Sequence, residues 1–145
     1  MRAFTTLFLA VAFSITPLSA TQNEWQTLGD VSSFETRTDG VEIRAQHGRV
    51  RITALAPTVV RVRYSLQNQF SERPSFAVLP KAFEGGALKL QFADSVSALS
   101  LNTGSLTVRI DKSPLRIAFL NAAGTLVSED QPSSPPMFDG AAFKV

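Results

Sequence analysis

The sequence lacks cysteine altogether and has a single histidine and a single tryptophan among its 145 residues. Without cysteine, the chain has no disulfide, thiolate metal site, cysteine nucleophile or lipoprotein anchor. One histidine provides too few partners for a zinc site. Oxygen-only coordination by scattered acids stays open, although there is no Asp-rich calcium loop. We therefore expect no cofactor and no metal.

Strong charge of one sign is also missing. The sequence has 14 Lys and Arg against 12 Asp and Glu, a net charge of +2. Loss of Arg2 with the segment described next would leave +1. This is too weak to indicate a nucleic-acid partner. The hydrophobic share of 44% is enough for one packed core, so we expect a single folded domain.

The N-terminal apolar run is too short to span a bilayer, which takes roughly 20 residues. Arg2 precedes the apolar residues 3–15, and Leu18-Ser19-Ala20 ends in a small residue. This pattern predicts a secretory signal over residues 1–20, cleaved after Ala20. The alternative is an N-terminal strand or a buried helix. We expect an exported protein, periplasmic or extracellular, without a stable membrane anchor; export without disulfides suits a bacterial protein with a sufficient core.

From Val31 onward, apolar and polar residues alternate in short runs between turn signals, and no segment shows a sustained 3.6-residue period. This predicts an all-β antiparallel sandwich over residues 21–130. Beyond the first hairpins, the predicted strands are Val59–Leu66, Phe76–Leu79, Ala87–Asp94, Val96–Leu101, Leu106–Asp111, Leu115–Leu120 and Thr125–Ser128. Residues 131–145 form a Pro/Ser-rich crossover and the start of a further strand, which suggests an incomplete C-terminus.

Two turns predict the same buried face. Asp39-Gly40 favours a type I′ hairpin, which sets Arg37 opposite Glu42 and Glu35 opposite Arg44.

A second turn at His47-Gly48 sets Ala45 opposite Val50 and Ile43 opposite Ile52. Both turns leave Ile43 and Ala45 on the apolar face, and a one-residue slip in either would destroy that agreement. The second turn also places Arg44 opposite Arg51, a like-charge pair.

The residues for hydrolytic chemistry are not assembled. There is no G-x-S-x-G motif, and His47 is expected in a turn, a poor place for the base of a triad. Glu35 and Glu42 are expected to have arginine partners, and Glu129-Asp130 are neighbours whose side chains diverge. No pair of carboxylates is predicted at glycosidase spacing in a buried setting, and we assign no catalytic residue.

Five arginines are predicted on the polar side of adjacent strands. A binding interpretation is a surface for anions or polysaccharides; the plainer one, which we favour, is a solvated face or one covered by a neighbouring domain. These residues are Arg44, Arg49, Arg51, Arg61 and Arg63. Trp25 is the one candidate sugar contact, since an indole stacks on pyranose rings. Near a mature N-terminus, however, a tryptophan more often caps the end of a sandwich.

Several segments in a particular order carry a family resemblance, from about Leu28 to the end of the chain. They are 57–65, 72–79, 101–110, 113–120 and Gly124. Together they resemble the N-terminal β-sandwich of the family 31 glycoside hydrolases, the α-glucosidase and α-xylosidase group. The resemblance implies a galactose-mutarotase-like sandwich ahead of a (β/α)₈ barrel, with two barrel aspartates as nucleophile and acid/base of a retaining mechanism. No catalytic or sugar-binding residue carries over to this chain.

The leading hypothesis is a non-catalytic N-terminal domain of an exported α-glycosidase-like protein. Its partners would be an α-glucoside, bound through the full-length protein, and a catalytic barrel packed against it. The alternative is a free-standing secreted carbohydrate-binding module, and a third is a protein-interaction domain of the cell envelope. On the leading hypothesis, the segment from Thr21 to Val145 is expected to aggregate or dimerise when expressed alone, because unpaired edges would be exposed.

Overall fold

The computed structural model describes residues 25–67, 69–71, 88–133, 135–139 and 142–144. These residues form twelve strands and no helix, so the part of the chain described here contains no helix that could cross a membrane. The strands are β1 (Gln26–Thr27), β2 (Val31–Arg37), β3 (Gly40–Ala45), β4 (Gly48–Ala56), β5 (Val59–Ser65), β6 (Gln91–Asp94), β7 (Ala98–Asn102), β8 (Leu106–Lys112), β9 (Leu115–Asn121), β10 (Leu126–Glu129), β11 (Met137–Asp139) and β12 (Ala142–Lys144).

Three antiparallel sheets contain these strands. The first sheet has the order β2-β3-β4-β5, and the second has the order β10-β9-β8-β7-β6. In both, chain neighbours are also sheet neighbours, which is the pattern of a meander. A third sheet, β1-β11-β12, joins the beginning of the described chain to its end.

One hydrophobic core lies between the first and second sheets. Alternate residues of the central strands point into it and are at most 2% exposed. Burial of each such aliphatic side chain contributes about 1.5–3 kcal/mol. The core contains Leu28, Val41, Ile43, Val50, Ile52, Leu99, Leu101, Val108, Ile110, Leu115 and Ile117. The predicted all-β sandwich is confirmed.

The first hairpin buries the predicted face in a different register. Arg37 pairs with Gly40 and Glu35 with Glu42, so the turn is Thr38-Asp39 and the predicted register is wrong by two residues. The predicted ion pair of Arg37 with Glu42 nevertheless forms along a diagonal, with Arg37 Nη1 at 3.9 Å from Glu42 Oε2. A two-residue shift keeps every side chain on its face, because the side-chain period of a strand is two. The type I′ assignment fails because Gly40 is within β3 and does not have a positive φ.

The second hairpin is shifted in the same way. Ala45 pairs with Gly48 and Ile43 with Val50, so the turn is Gln46-His47. The predicted opposition of Arg44 and Arg51 is therefore wrong.

Close packing explains the position of the first glycine. A Cβ atom on Gly40 would overlap the Ile52 carbonyl of β4. Gly40 is therefore required for the approach of two strands and not for the turn.

The later strands agree with the alternation, with small differences at their ends. Val96, predicted as the start of a strand, is 99% exposed in the turn before β7. Leu66, predicted on the inner face, follows the end of β5 and is 39% exposed. The predicted signal over 1–20, the predicted strand over 76–79 and the turn at Gly85-Gly86 lie outside the described residues.

Candidate functional site

The outer face of the first sheet carries the five arginines that the sequence places there. Alternation with the core residues of β3, β4 and β5 turns their side chains away from the core. Arg44 lies opposite Arg49, and Arg51 lies opposite both Glu42 and Arg63. The face therefore concentrates positive charge around one carboxylate.

Glu42 is the centre of this face. Its Oε2 accepts hydrogen bonds from Nε and Nη2 of Arg51 at 3.1 and 2.9 Å, and its Oε1 accepts one from Arg49 Nη1 at 3.1 Å. Arg37 stands farther away, at 3.9 Å from Oε2. Burial alone would raise the pKa of the Glu42 carboxyl, but the hydrogen bonds and charges of Arg51 and Arg49 outweigh it and hold this pKa below its ordinary value.

A segment outside the sheet covers part of the arginines. Phe70 is buried, and its ring centroid lies 4.4 Å from the guanidinium carbon of Arg51 and 5.2 Å from that of Arg63. These are cation–π distances. Arg63 Nη1 also donates to the carbonyl oxygen of Ser71 at 3.1 Å. Phe70 was not among the predicted site residues, because it is a lone aromatic residue within a polar stretch of the sequence.

The end of the β3–β4 hairpin borders a shallow depression of about 390 Å³. Arg44, Gln46, His47 and Arg49 line it, together with Gln67. His47 lies in the turn, as predicted, and its Nδ1 is 3.1 Å from the Thr27 carbonyl oxygen. Because a carbonyl oxygen only accepts, Nδ1 is the ring atom that carries hydrogen in this contact. His47 thus ties the hairpin to β1.

Trp25, the predicted sugar contact, lies directly before β1 and is 47% exposed. Its Cα is two residues, and therefore at most about 7 Å, from that of Thr27. Because Thr27 accepts the hydrogen bond of His47, Trp25 is at the end of the sandwich where the hairpin depression lies. Its contact with sugar stays a prediction.

Two carboxylates that were each predicted to lie opposite an arginine lie opposite each other in the structure. Glu35 lies directly opposite Glu42 on the same face. The described residues offer Glu35 no ion pair, so its predicted arginine partner is wrong. A general acid in glycoside hydrolysis requires a raised pKa, whereas the pKa of Glu42 is lowered. Glu42 is therefore not suited to be a general acid.

Asp130 has a structural contact. Its Oδ2 accepts the Ile117 N–H at 2.7 Å, and its own N–H donates to the Ile117 carbonyl at 2.9 Å. Burial raises the pKa of this carboxyl, against the opposing effects of the Ile117 hydrogen bond and the charge of Arg116. Burial, followed by the charge of Asp130, also raises the pKa of Tyr64 far above its ordinary value. The two hydrogen bonds between Asp130 and Ile117 extend the pairing of β9 with β10 by one residue.

Metal ligands are not grouped in the part of the chain that the structure describes. There, no three His, Asp or Glu side chains lie together in a way that could hold an ion.

Comparison with known families decides what this sandwich is. Residues 49–143 match the glycosyl hydrolase 31 N-terminal galactose mutarotase-like domain. The chain belongs to this family of galactose mutarotase-like domains. The resemblance noted from the sequence is thereby confirmed. No curated protein matches the chain.

Solved structures of longer chains contain the fold of this galactose mutarotase-like domain. A GH31 dextranase of Flavobacterium johnsoniae, solved with glucose and in mutant form with isomaltotriose, is similar with a TM-score of 0.69 and 18% identity. A cycloalternan-forming enzyme of Listeria monocytogenes, solved with a pentasaccharide substrate, is similar with a TM-score of 0.62 and 18% identity. The alignments cover 79% and 81% of this chain, but they span only 14% and 11% of those enzymes.

Proposed function

We propose that this chain is the non-catalytic N-terminal domain of an exported α-glycosidase-like protein, with the hydrolytic chemistry in a (β/α)₈ barrel outside these residues. The observation that carries the proposal is the family match over 49–143. A domain that spans 14% of a GH31 dextranase is a small part of such an enzyme, which agrees with a flanking role.

The surface supports a non-catalytic role for the domain itself. The carboxylate of Glu42, on the arginine face, is held ionised by Arg49 and Arg51. A carboxylate fixed in this way stabilises a sheet and does not donate protons. The substrate of the whole protein is proposed to be an α-glucoside, because the similar dextranase and cycloalternan-forming enzyme were solved with glucose, isomaltotriose and a pentasaccharide.

The coding DNA beyond Val145 tests this proposal. We expect an open frame that continues through a barrel-length sequence. A native stop codon without a downstream barrel gene would argue against it. For the proposed export, the mass of the secreted product should correspond to a chain that begins at Thr21.

A free-standing carbohydrate-binding module is the second candidate, and the exposure of Trp25 favours it. An indole that is 47% exposed at the end of a sandwich has a face available for a sugar ring. If the chain is such a module, it binds α-glucans, and Trp25→Ala weakens that binding by about tenfold or more.

Affinity electrophoresis in gels with and without soluble α-glucan measures this effect. Val96→Ala is a matched control, since Val96 is an exposed apolar residue in a turn of the second sheet. Equal retardation of the parent and Trp25→Ala would exclude Trp25 as the sugar contact.

A further inference from the structure

The hairpin depression, defined above by Arg44, Gln46, His47, Arg49 and Gln67, is a concentration of hydrogen-bond donors. Two guanidinium groups, two carboxamides and an imidazole line it, and the described residues contribute no carboxylate to its lining. Leu66 adds one apolar contact surface. This composition suits a ligand that carries negative charge.

Arg44 is the group most available to a ligand. It is exposed, and among the described residues its side chain has no ion pair and no hydrogen bond. It lies directly opposite Arg49, and like charges at such positions repel one another. Arg49 has its Nη1 on Glu42, which leaves other N–H groups of its guanidinium for a ligand. An anion between the two side chains would relieve their repulsion.

Two further side chains that line the depression are held in place by the backbone. Oε1 of Gln46 accepts the Asp30 N–H at 3.2 Å, which leaves the Nε2 group of the carboxamide as a donor. Nδ1 of His47 donates its hydrogen to the Thr27 carbonyl oxygen at 3.1 Å, which fixes the ring at the edge of the depression. In the neutral ring Nε2 is then an acceptor, so His47 reports on a bound anion and is not counted among its donors. Side chains fixed before binding lose less conformational entropy when a ligand arrives.

We propose that the hairpin depression binds a small oxyanion, a carboxylate or a phosphate, with Arg44 as its principal contact. This inference goes beyond the proposed function, because neither a domain that flanks a barrel nor a binder of neutral α-glucan requires an anion. The acidic group comes from an acidic sugar, a simple carboxylate or free phosphate, and the experiment separates these three sources.

His47 provides a direct readout. It is the only histidine among 145 residues, so the proton resonances of its ring are identified without sequential assignment, provided that no polyhistidine tag is present. The 145-residue chain is titrated with glucuronate, acetate, inorganic phosphate and glucose at constant ionic strength. We expect saturable shifts of the His47 resonances with at least one anion and none with glucose. A response to glucuronate alone assigns the site to acidic sugars; a response to all anions assigns it to the oxyanion itself.

Arg44→Gln and Arg109→Gln form the matched pair of variants. Both arginines are exposed on outer sheet faces, but Arg109 is on the second sheet, beside Asp111. We expect Arg44→Gln to weaken anion binding by about tenfold or more and Arg109→Gln to leave it unchanged. Arg44→Lys, which keeps the charge without the fork, should bind with intermediate affinity.

The proposal is overturned if no anion shifts the His47 resonances, if glucose shifts them as strongly as glucuronate does, or if Arg44→Gln binds as the parent does. None of these results bears on the reading frame beyond Val145. Failure of the anion site and failure of the proposed function are therefore distinguishable.

Discussion

The two large sheets carry the same arrangement on their outer faces, a carboxylate between two arginines, in different surroundings. On the first sheet, the side chains of Glu42, Arg49 and Arg51 are 13%, 15% and 21% exposed. On the second, Asp111 is 24% exposed, and its partners Arg109 and Arg116 are 46% and 30% exposed. The ion pairs on the first sheet are thus more shielded from water than the equivalent pairs on the second.

The difference in shielding comes from residues outside the sheets, in the segment that follows β5. Phe70 covers Arg51, and the following residue, Ser71, accepts a hydrogen bond from Arg63. Ion pairs shielded from water are stronger and less sensitive to salt than exposed ones. A single aromatic side chain from a connecting segment therefore shields Arg51, one of the two arginines that donate hydrogen bonds to Glu42.

Removal of the Phe70 ring, which covers Arg51, should have the largest effect on stability. Phe70→Ala deletes a buried ring and its contacts with Arg51 and Arg63, and we expect it to lower the free energy of unfolding by about 2–3 kcal/mol. Chemical denaturation monitored by circular dichroism measures this loss.

The control for that variant is Val96→Ala on the second sheet, which removes apolar atoms from a residue that is already 99% exposed. It should change stability by no more than about 0.5 kcal/mol. Equal effects of the two substitutions would show that Phe70 does not cover the arginine face in solution.

Substitution of the two carboxylates, Glu42 and Asp111, should have smaller effects on stability. Glu42→Gln removes the common partner of Arg49 and Arg51, and we expect a loss of about 1–2 kcal/mol. Asp111→Asn is the equivalent change on the more exposed face and should cost less than about 1 kcal/mol. If both variants lose equal stability, shielding by Phe70 has no energetic consequence for the ion pairs.

Acid should narrow the difference in the free energy of unfolding between the parent and Glu42→Gln. The pKa of Glu42 is lowered in the folded state from an ordinary value of 4.5. Its stabilising contribution is therefore present above that value and is lost as the pH falls through the folded-state pKa. Asp130, whose pKa is raised by burial, acts with the opposite sign, but it is present in both proteins and cancels from the difference. A difference in stability that stays constant down to low pH would contradict this account.

The sequence predicted which residues are buried better than it predicted which residues are opposite each other. Alternation placed Val41 and Ile43 in the core, and both are fully buried. The hairpin registers were wrong by two residues because each glycine was assigned to its turn. Gly40 and Gly48 are instead the first residues of β3 and β4, where neighbouring backbone leaves no room for a side chain.

The candidate site was predictable in part. The period of two placed all five arginines on one face, since that depends only on which face is buried. The direct opposition of Glu35 and Glu42 depends on register and was missed. The cover of Phe70 depends on how a connecting segment folds back over the sheet, and no local pattern in the sequence encodes such a contact.

The pairing of β1 with β11 has a consequence for how the chain folds. All the described strand pairs in the two large sheets join neighbours along the sequence, so each meander closes shorter loops. Gln26 and Phe138, by contrast, are partners more than a hundred residues apart. Closing so long a loop costs more chain entropy and slows folding, and that cost is offset only once the meanders have brought the two ends together. We therefore expect the small sheet to form last, and hydrogen exchange should show its amides as the first to open.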